Sequence, residues 1–121
     1  MRNFRNWDIW LKSRLLTKHA YEISQKLPDN EKFGLISQIR RASVSIPSNI
    51  AEGASRSSEK ELKYFLQIAI GSGFELETLI SLCVDLKYLG SEDTKQYLDE
   101  LDVLLKMLNS FITKLNISKR L

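Results

Sequence analysis

Two prolines and five glycines are all that interrupt this 121-residue chain, and they fall at a few sites. Folds built from many short strands need turn residues roughly every 8–12 positions, so this spacing points to long helices. Three clusters divide the sequence. At Leu27-Pro28-Asp29-Asn30 the proline ends one helix, and Asp29 or Asn30 is expected to cap the next. Gly53 to Ser58 is the second break, and Ser58-Glu59-Lys60-Glu61 spells a capping box for the helix that follows. At Gly90-Ser91-Glu92-Asp93 the glycine suits a left-handed C-terminal cap and Ser91 an N-cap, with two acids at the positive helix end.

Between the breaks the apolar residues recur at helical spacing. The third segment carries Leu62, Phe65, Leu66, Ala69, Gly73, Leu76, Leu79, Ile80, Cys83 and Leu86 on one face. The fourth carries Leu98, Leu101, Leu104, Leu105, Leu108, Phe111, Ile112 and Leu115. The second gives Ile36, Ile39, Ser43, Ile46 and Ile50, and the first, less regularly, Ile9, Leu16, Ala20, Ile23 and Leu27. Four amphipathic helices with short links predict an all-α, antiparallel up-down-up-down four-helix bundle, forming a single domain over residues 1–121. The third helix, at about 30 residues, would run ~45 Å. Pro47 is expected to kink the second helix. Ala69, Ser72 and Gly73 are expected to admit a neighbouring helix at close range.

Composition narrows the function. With 43% hydrophobic and 27% charged residues the chain is globular rather than disordered. The lone Cys83 sits in an apolar run and is expected to be buried, with no intrachain disulfide to make. No signal-peptide pattern opens the sequence, and the longest uncharged run, Tyr64 to Phe74, is shorter than a membrane span. A cytoplasmic protein without a membrane partner is the expectation. His19 is the only histidine, no His/Cys spacing suits zinc, and no acidic loop suits calcium. Glu75 and Glu77 interrupt an apolar helix but project about 160° apart, so they cannot share a site. They are expected to pair with Arg40, Arg41 or Arg14. No catalytic residue, cofactor or metal is expected.

Two groups of residues remain once the core is assigned. With Ile39, Ser43, Ile46 and Ile50 inward, Arg41, Ser45, Ser48 and Glu52 point outward, and Val44 and Ala51 lie on a flank. On the first helix Trp7, Trp10 and Tyr21 form a second stripe with Arg14 among them. These six, Trp7, Trp10, Arg14, Tyr21, Val44 and Ala51, either widen the core face or mark a subunit interface, where aromatics and arginine are enriched. The second group is charge. Residues 1–60 hold eleven Lys/Arg against six Asp/Glu, or +5, and residues 61–121 hold seven against nine, or −2. The bundle topology brings Arg2, Arg5, Arg56, Lys60, Lys63, Lys114, Lys119 and Arg120 to one end, diluted by Glu59 and Glu61, where they either attract phosphates or solvate an ordinary surface.

The block Lys32 to Gly53, KFGLISQIRRASVSIPSNIAEG, resembles the signature of the four-helix-bundle proteins called 23S rRNA-intervening sequence proteins. The likeness continues through Lys60 to Leu66, Ala69 to Ser72 and Glu75 to Thr78, and takes in Phe4, Trp10 and Met107-Leu108-Asn109. It implies an antiparallel four-helix bundle and a ring-shaped homopentamer. Some members are encoded within segments inserted in large-subunit ribosomal RNA genes. Others are accessory proteins of diversity-generating retroelements, where a basic pentamer binds nucleic acid and a reverse transcriptase. The signature defines no catalytic residue, and it places Arg40 and Arg41 as structural or nucleic-acid-facing candidates.

The resulting expectation is a non-enzymatic homo-oligomer that binds RNA or DNA through phosphates, using Arg2, Arg5, Arg41, Arg56, Lys60, Lys63, Lys114, Lys119 and Arg120. The alternative is a protein-interaction scaffold that binds no nucleic acid.

Overall fold

The computed structural model describes residues 2–120, with side chains placed up to residue 116. Four helices occupy it: α1 (Asp8–Ser24), α2 (Leu35–Ser55), α3 (Glu59–Asp85) and α4 (Ser91–Arg120). Each helix packs on its neighbours in sequence and α4 closes on α1, with the most extensive seam between α2 and α3. This is the expected up-down-up-down bundle. The longest helix is α4 with 30 residues, and α3 has 27.

The core follows the apolar stripes. Leu16, Ile39, Ile46, Ile50, Leu62, Leu66, Leu76, Ile80, Leu101, Leu104 and Leu108 are fully buried, each contributing roughly 1.5–3 kcal/mol. Cys83 is buried among them, and burial, followed by the nearby Glu31 carboxylate, pushes its thiol above the ordinary range. By length and composition α3 is apolar enough to cross a membrane, which the uncharged run Tyr64 to Phe74 understated. Its Leu62, Leu66, Ala69, Leu76, Ile80 and Cys83 line the bundle interior.

The seam between α1 and α2 is more polar than the stripes suggest. Ser13 and Ser24 are buried on α1, with hydroxyls donating to the carbonyls of Trp10 and Tyr21. Pro47 lies inside α2 and has no N–H for the Ser43 carbonyl four residues earlier. The Thr17 hydroxyl of α1 lies 2.9 Å from that carbonyl and 2.9 Å from the Ser13 carbonyl of its own helix, and its single proton serves one of them at a time. The Ser43 carbonyl is the one the proline leaves without a helical donor. One turn away, Arg40 Nε donates to Ser24 Oγ at 2.9 Å.

Small residues in α3 serve two neighbours. Ser72 and Ser45 of α2 share a hydroxyl hydrogen bond at 2.8 Å. Ser45 therefore faces α3, not solvent as its helical phase suggested. Gly73 lies against Leu105 of α4 so closely that a methyl group there would overlap that side chain. At Gly71 a methyl group would meet nothing.

Several helix ends depart from the sequence expectation. Asp29 and Asn30 do not cap α2; they lie in a short 3-10 turn, Asp29–Glu31, and α2 begins at Leu35. The cap comes from Glu31, whose Oε1 accepts the Leu35 N–H at 3.2 Å while its Oε2 accepts the Tyr88 hydroxyl at 3.0 Å. That second bond, more than burial, raises the Tyr88 phenol. At the end of α3 the left-handed residue is Lys87, φ 65°, not Gly90. Bonds from the Lys87 N–H to the Val84 carbonyl and from the Tyr88 N–H to the Cys83 carbonyl close a Schellman motif there. Leu86, expected on the core stripe, is thereby carried outside the helix and is exposed. Ser91 is the first residue of α4 rather than its cap. Ser58 does cap α3, accepting the Glu61 N–H at 3.1 Å. Glu75 and Glu77 are exposed and, among the described residues, pair with none of Arg14, Arg40 or Arg41, since Arg40 is engaged by Ser24.

Three consequences are measurable by urea unfolding. Gly71→Ala stabilises by roughly 0.5–1 kcal/mol, because it only narrows the unfolded ensemble. Gly73→Ala destabilises by about 1–3 kcal/mol despite the same gain in helix propensity, because Leu105 must move. Thr17→Val keeps the volume but leaves the Ser43 carbonyl without a donor, at a cost of about 1–3 kcal/mol. A Thr17→Val variant as stable as the parent would show that water replaces the hydroxyl at this carbonyl.

Candidate nucleic-acid interface

The N-terminal segment reaches the bundle end where α2 passes to α3. The Arg2 N–H donates to the Ala54 carbonyl at 3.2 Å and Arg2 Nη1 to the Arg56 carbonyl at 2.7 Å. Trp7 packs on Phe111 with ring centroids 4.9 Å apart, which ties the start of α1 to the late turns of α4. These contacts gather Arg2, Arg5, Arg56, Lys60, Lys63 and Lys114 at one end. Lys60 and Lys114 are exposed and Lys63 is half-buried. Arg5 is exposed beside the Phe4 ring, with Nη1 donating to Asn3 Oδ1 at 3.4 Å. The side chains of Lys119 and Arg120 lie outside the described residues.

Not all of these cations are equally available. Arg56 is half-buried, paired with Glu52 at 3.3 Å and laid over the Phe65 ring at 4.9 Å. Its Nε is buried without a hydrogen-bond partner among the described residues. Arg56 therefore holds the α2–α3 corner together. Free charge at this end comes from Arg5, Lys60, Lys63 and Lys114.

Arg41 is elsewhere. It is exposed on the second turn of α2, and the fourteen residues from there to Ser55 place it about 21 Å from the basic end. An open groove of roughly 600 Å³ surrounds it, lined by Tyr21 of α1, by Lys32 and Phe33 of the link, and by Ile36, Ser37, Arg40, Arg41, Val44 and Ser45 of α2. Phe33 is 91% exposed, the most exposed large apolar side chain among the described residues. It precedes Gly34, outside the helical period of α2, so the apolar stripes gave no place to it.

The six interface candidates separate in the same way. Trp7 turns to α4, where it is half-buried. Trp10 is half-buried, edge-on to Phe4 at 5.0 Å, with the Arg14 guanidinium 4.7 Å above it. Arg14 is exposed. Tyr21 is partly exposed, with Arg40 4.7 Å over its ring. Val44 is exposed, and Ala51 lines a shallow groove with Ser48, Asn49, Glu52 and Phe65. Trp7 and Trp10 thus widen the core, while Arg14 and Val44 stay open. Further exposed apolar side chains are Leu11, Leu15, Tyr64, Phe74 and Val103, which lie off the core-facing stripes of their helices.

Among the described residues no three His, Cys, Asp or Glu side chains are grouped to hold a metal ion. His19 is half-buried in a cleft between α1 and α4 with Glu22, Lys26, Asp93, Gln96 and Glu100. In the same cleft the buried Tyr97 hydroxyl donates to the Leu16 carbonyl at 3.0 Å, and burial raises its phenol above the ordinary range.

The fold has a relative among solved structures. A crystal structure of a protein of unknown function from the S23 ribosomal protein family of Bacteroides thetaiotaomicron VPI-5482 is similar to this chain at 25% identity, with a TM-score of 0.79. The likeness covers 86% of this chain and 97% of that one. No curated protein matches. The family pattern described as 23S rRNA-intervening sequence protein matches residues 5–110, taking in all of α1, α2 and α3 and most of α4. This chain belongs to the 23S rRNA-intervening sequence protein family.

Proposed function

We propose that this protein is a non-enzymatic, cytoplasmic homo-oligomer that binds RNA or DNA through phosphates at the basic end of its bundle. The observation that carries the reading is the gathering of Arg5, Lys60, Lys63 and Lys114 around the Arg2–Arg56 contact, from three separate parts of the chain. Cations placed on rigid helices confront a phosphate chain at low ordering cost, and they read no base edge. A net charge of +3 is modest for a monomer. A ring of copies multiplies the field, which is why the oligomer and the binding belong to one proposal. The family resemblance favours a pentamer, and exposed Leu11, Leu15 and Val44 supply apolar surface for subunit contacts. A protein partner such as a reverse transcriptase is compatible with this arrangement.

The exposed apolar surface also favours a second reading, a scaffold that oligomerises and ignores nucleic acid. The two separate by titration with a structured RNA across salt concentrations. Replacing both Lys60 and Lys63 by Glu weakens binding at least tenfold at low salt and lowers the slope of log K against log salt by about two. The Ser58–Glu61 cap is untouched, so helicity by circular dichroism stays unchanged. Unaltered binding by this variant sinks the phosphate site, and no binding by the parent leaves the scaffold.

A further inference from the structure

The groove around Phe33 has chemistry that the basic end lacks. Its lining holds three cations, Lys32, Arg40 and Arg41, and no carboxylate. Four other grooves each include at least one acid: Glu22, Asp93 and Glu100 between α1 and α4, Asp85, Glu92 and Asp99 between α3 and α4, Asp8 beside Phe111, and Glu52 beside Phe65. The three cations differ in availability. Arg40 is spent on Ser24 and the Tyr21 ring. Arg41 is exposed, and Lys32 is exposed with its Nζ over one face of the Phe33 ring, 5.6 Å from its centre, so a stacked base would take the other face. Phe33 itself, at 91% exposure, contributes almost nothing to the core.

An open aromatic ring flanked by unpaired cations is the arrangement that binds a single strand, because a base stacks on the ring while the adjacent phosphates meet the charges. A duplex keeps its bases stacked on one another and offers none to Phe33. An acidic peptide satisfies the cations but leaves the flat ring without a matching face.

We propose that this groove binds single-stranded nucleic acid, with one base stacked on Phe33 and the neighbouring phosphates on Lys32 and Arg41. The proposal rests on the nucleic-acid reading above but assigns it a second site, about 21 Å along α2 from the first. The basic end holds backbone of either form, and the groove adds a preference for unpaired segments. Such a protein favours RNA whose helices are interrupted by loops over a continuous duplex.

The test uses the full chain with a fluorescein-labelled oligouridylate and an RNA duplex of equal length. Phe33→Ala weakens the single strand roughly tenfold and leaves the duplex within twofold. Phe33→Trp retains the binding, and the oligouridylate quenches the new indole. Arg41→Ala lowers the single-strand salt slope by about 0.7. Phe33 and Arg41 both lie exposed outside the core, which keeps all three variants folded. Equal binding of the single strand by the parent and Phe33→Ala, with duplex binding intact, overturns the groove while leaving the basic end standing. Loss of oligomer mass in Phe33→Ala by light scattering overturns it too, assigning the ring to a subunit contact. If the parent binds neither form, both proposals fall together.

Discussion

Pro47 removes one backbone donor from the middle of α2, and the bundle is assembled around the repair. The Ser43 carbonyl points across the seam, and the Thr17 hydroxyl meets it. A buried carbonyl without a donor costs about 1–3 kcal/mol, so the approach of Thr17 adds a directional constraint to the apolar packing between α1 and α2. From that register follow the Arg40–Ser24 hydrogen bond and the stacking of Arg40 on Tyr21. The same register sets the groove wall beside Phe33. On the opposite flank α2 is keyed to α3 by the Ser45–Ser72 hydrogen bond and by Gly53, whose lack of a side chain admits Leu62 and Phe65.

The core was legible in proportion to how far each helix relies on large apolar residues. On α3 and α4 the stripes name the buried set almost completely, because Leu and Ile at 3.6-residue spacing have one way to leave water. On α1 they do not, since Ser13 and Ser24 are buried with their hydroxyls returned to the helix backbone. Termini were less legible still. A sequence rule sends the left-handed turn to Gly90, but the Schellman bonds form around Lys87 and offset its conformational cost. Likewise Asp29 and Asn30 have the right chemistry to cap a helix, and Glu31 has the right position. Helical phase puts Arg40 on the core flank, where Glu75 or Glu77 is expected to meet it, whereas Arg40 is drawn to the polar α1 seam.

Charge at the basic end was readable because an up-down-up-down topology dictates which termini meet. Its division of labour was not. Arg56 and Lys60 look alike in sequence, but one is clamped by Glu52 and Phe65 and the other is free. Phe33 escaped notice because it lies outside every helical period, where an aromatic residue carries no packing signal. The two surfaces stand at different heights along α2, so a polyanion that spans them crosses the family's signature block.

The account turns on an oligomer whose copies present their charges together. Light-scattering mass of the purified protein, with and without a structured RNA, at low and moderate salt, tests it most directly. The account predicts an oligomer that gains mass with RNA at low salt and loses the gain as salt rises. An oligomer indifferent to RNA contradicts the binding, and a monomer under all conditions contradicts the shared field on which the binding depends.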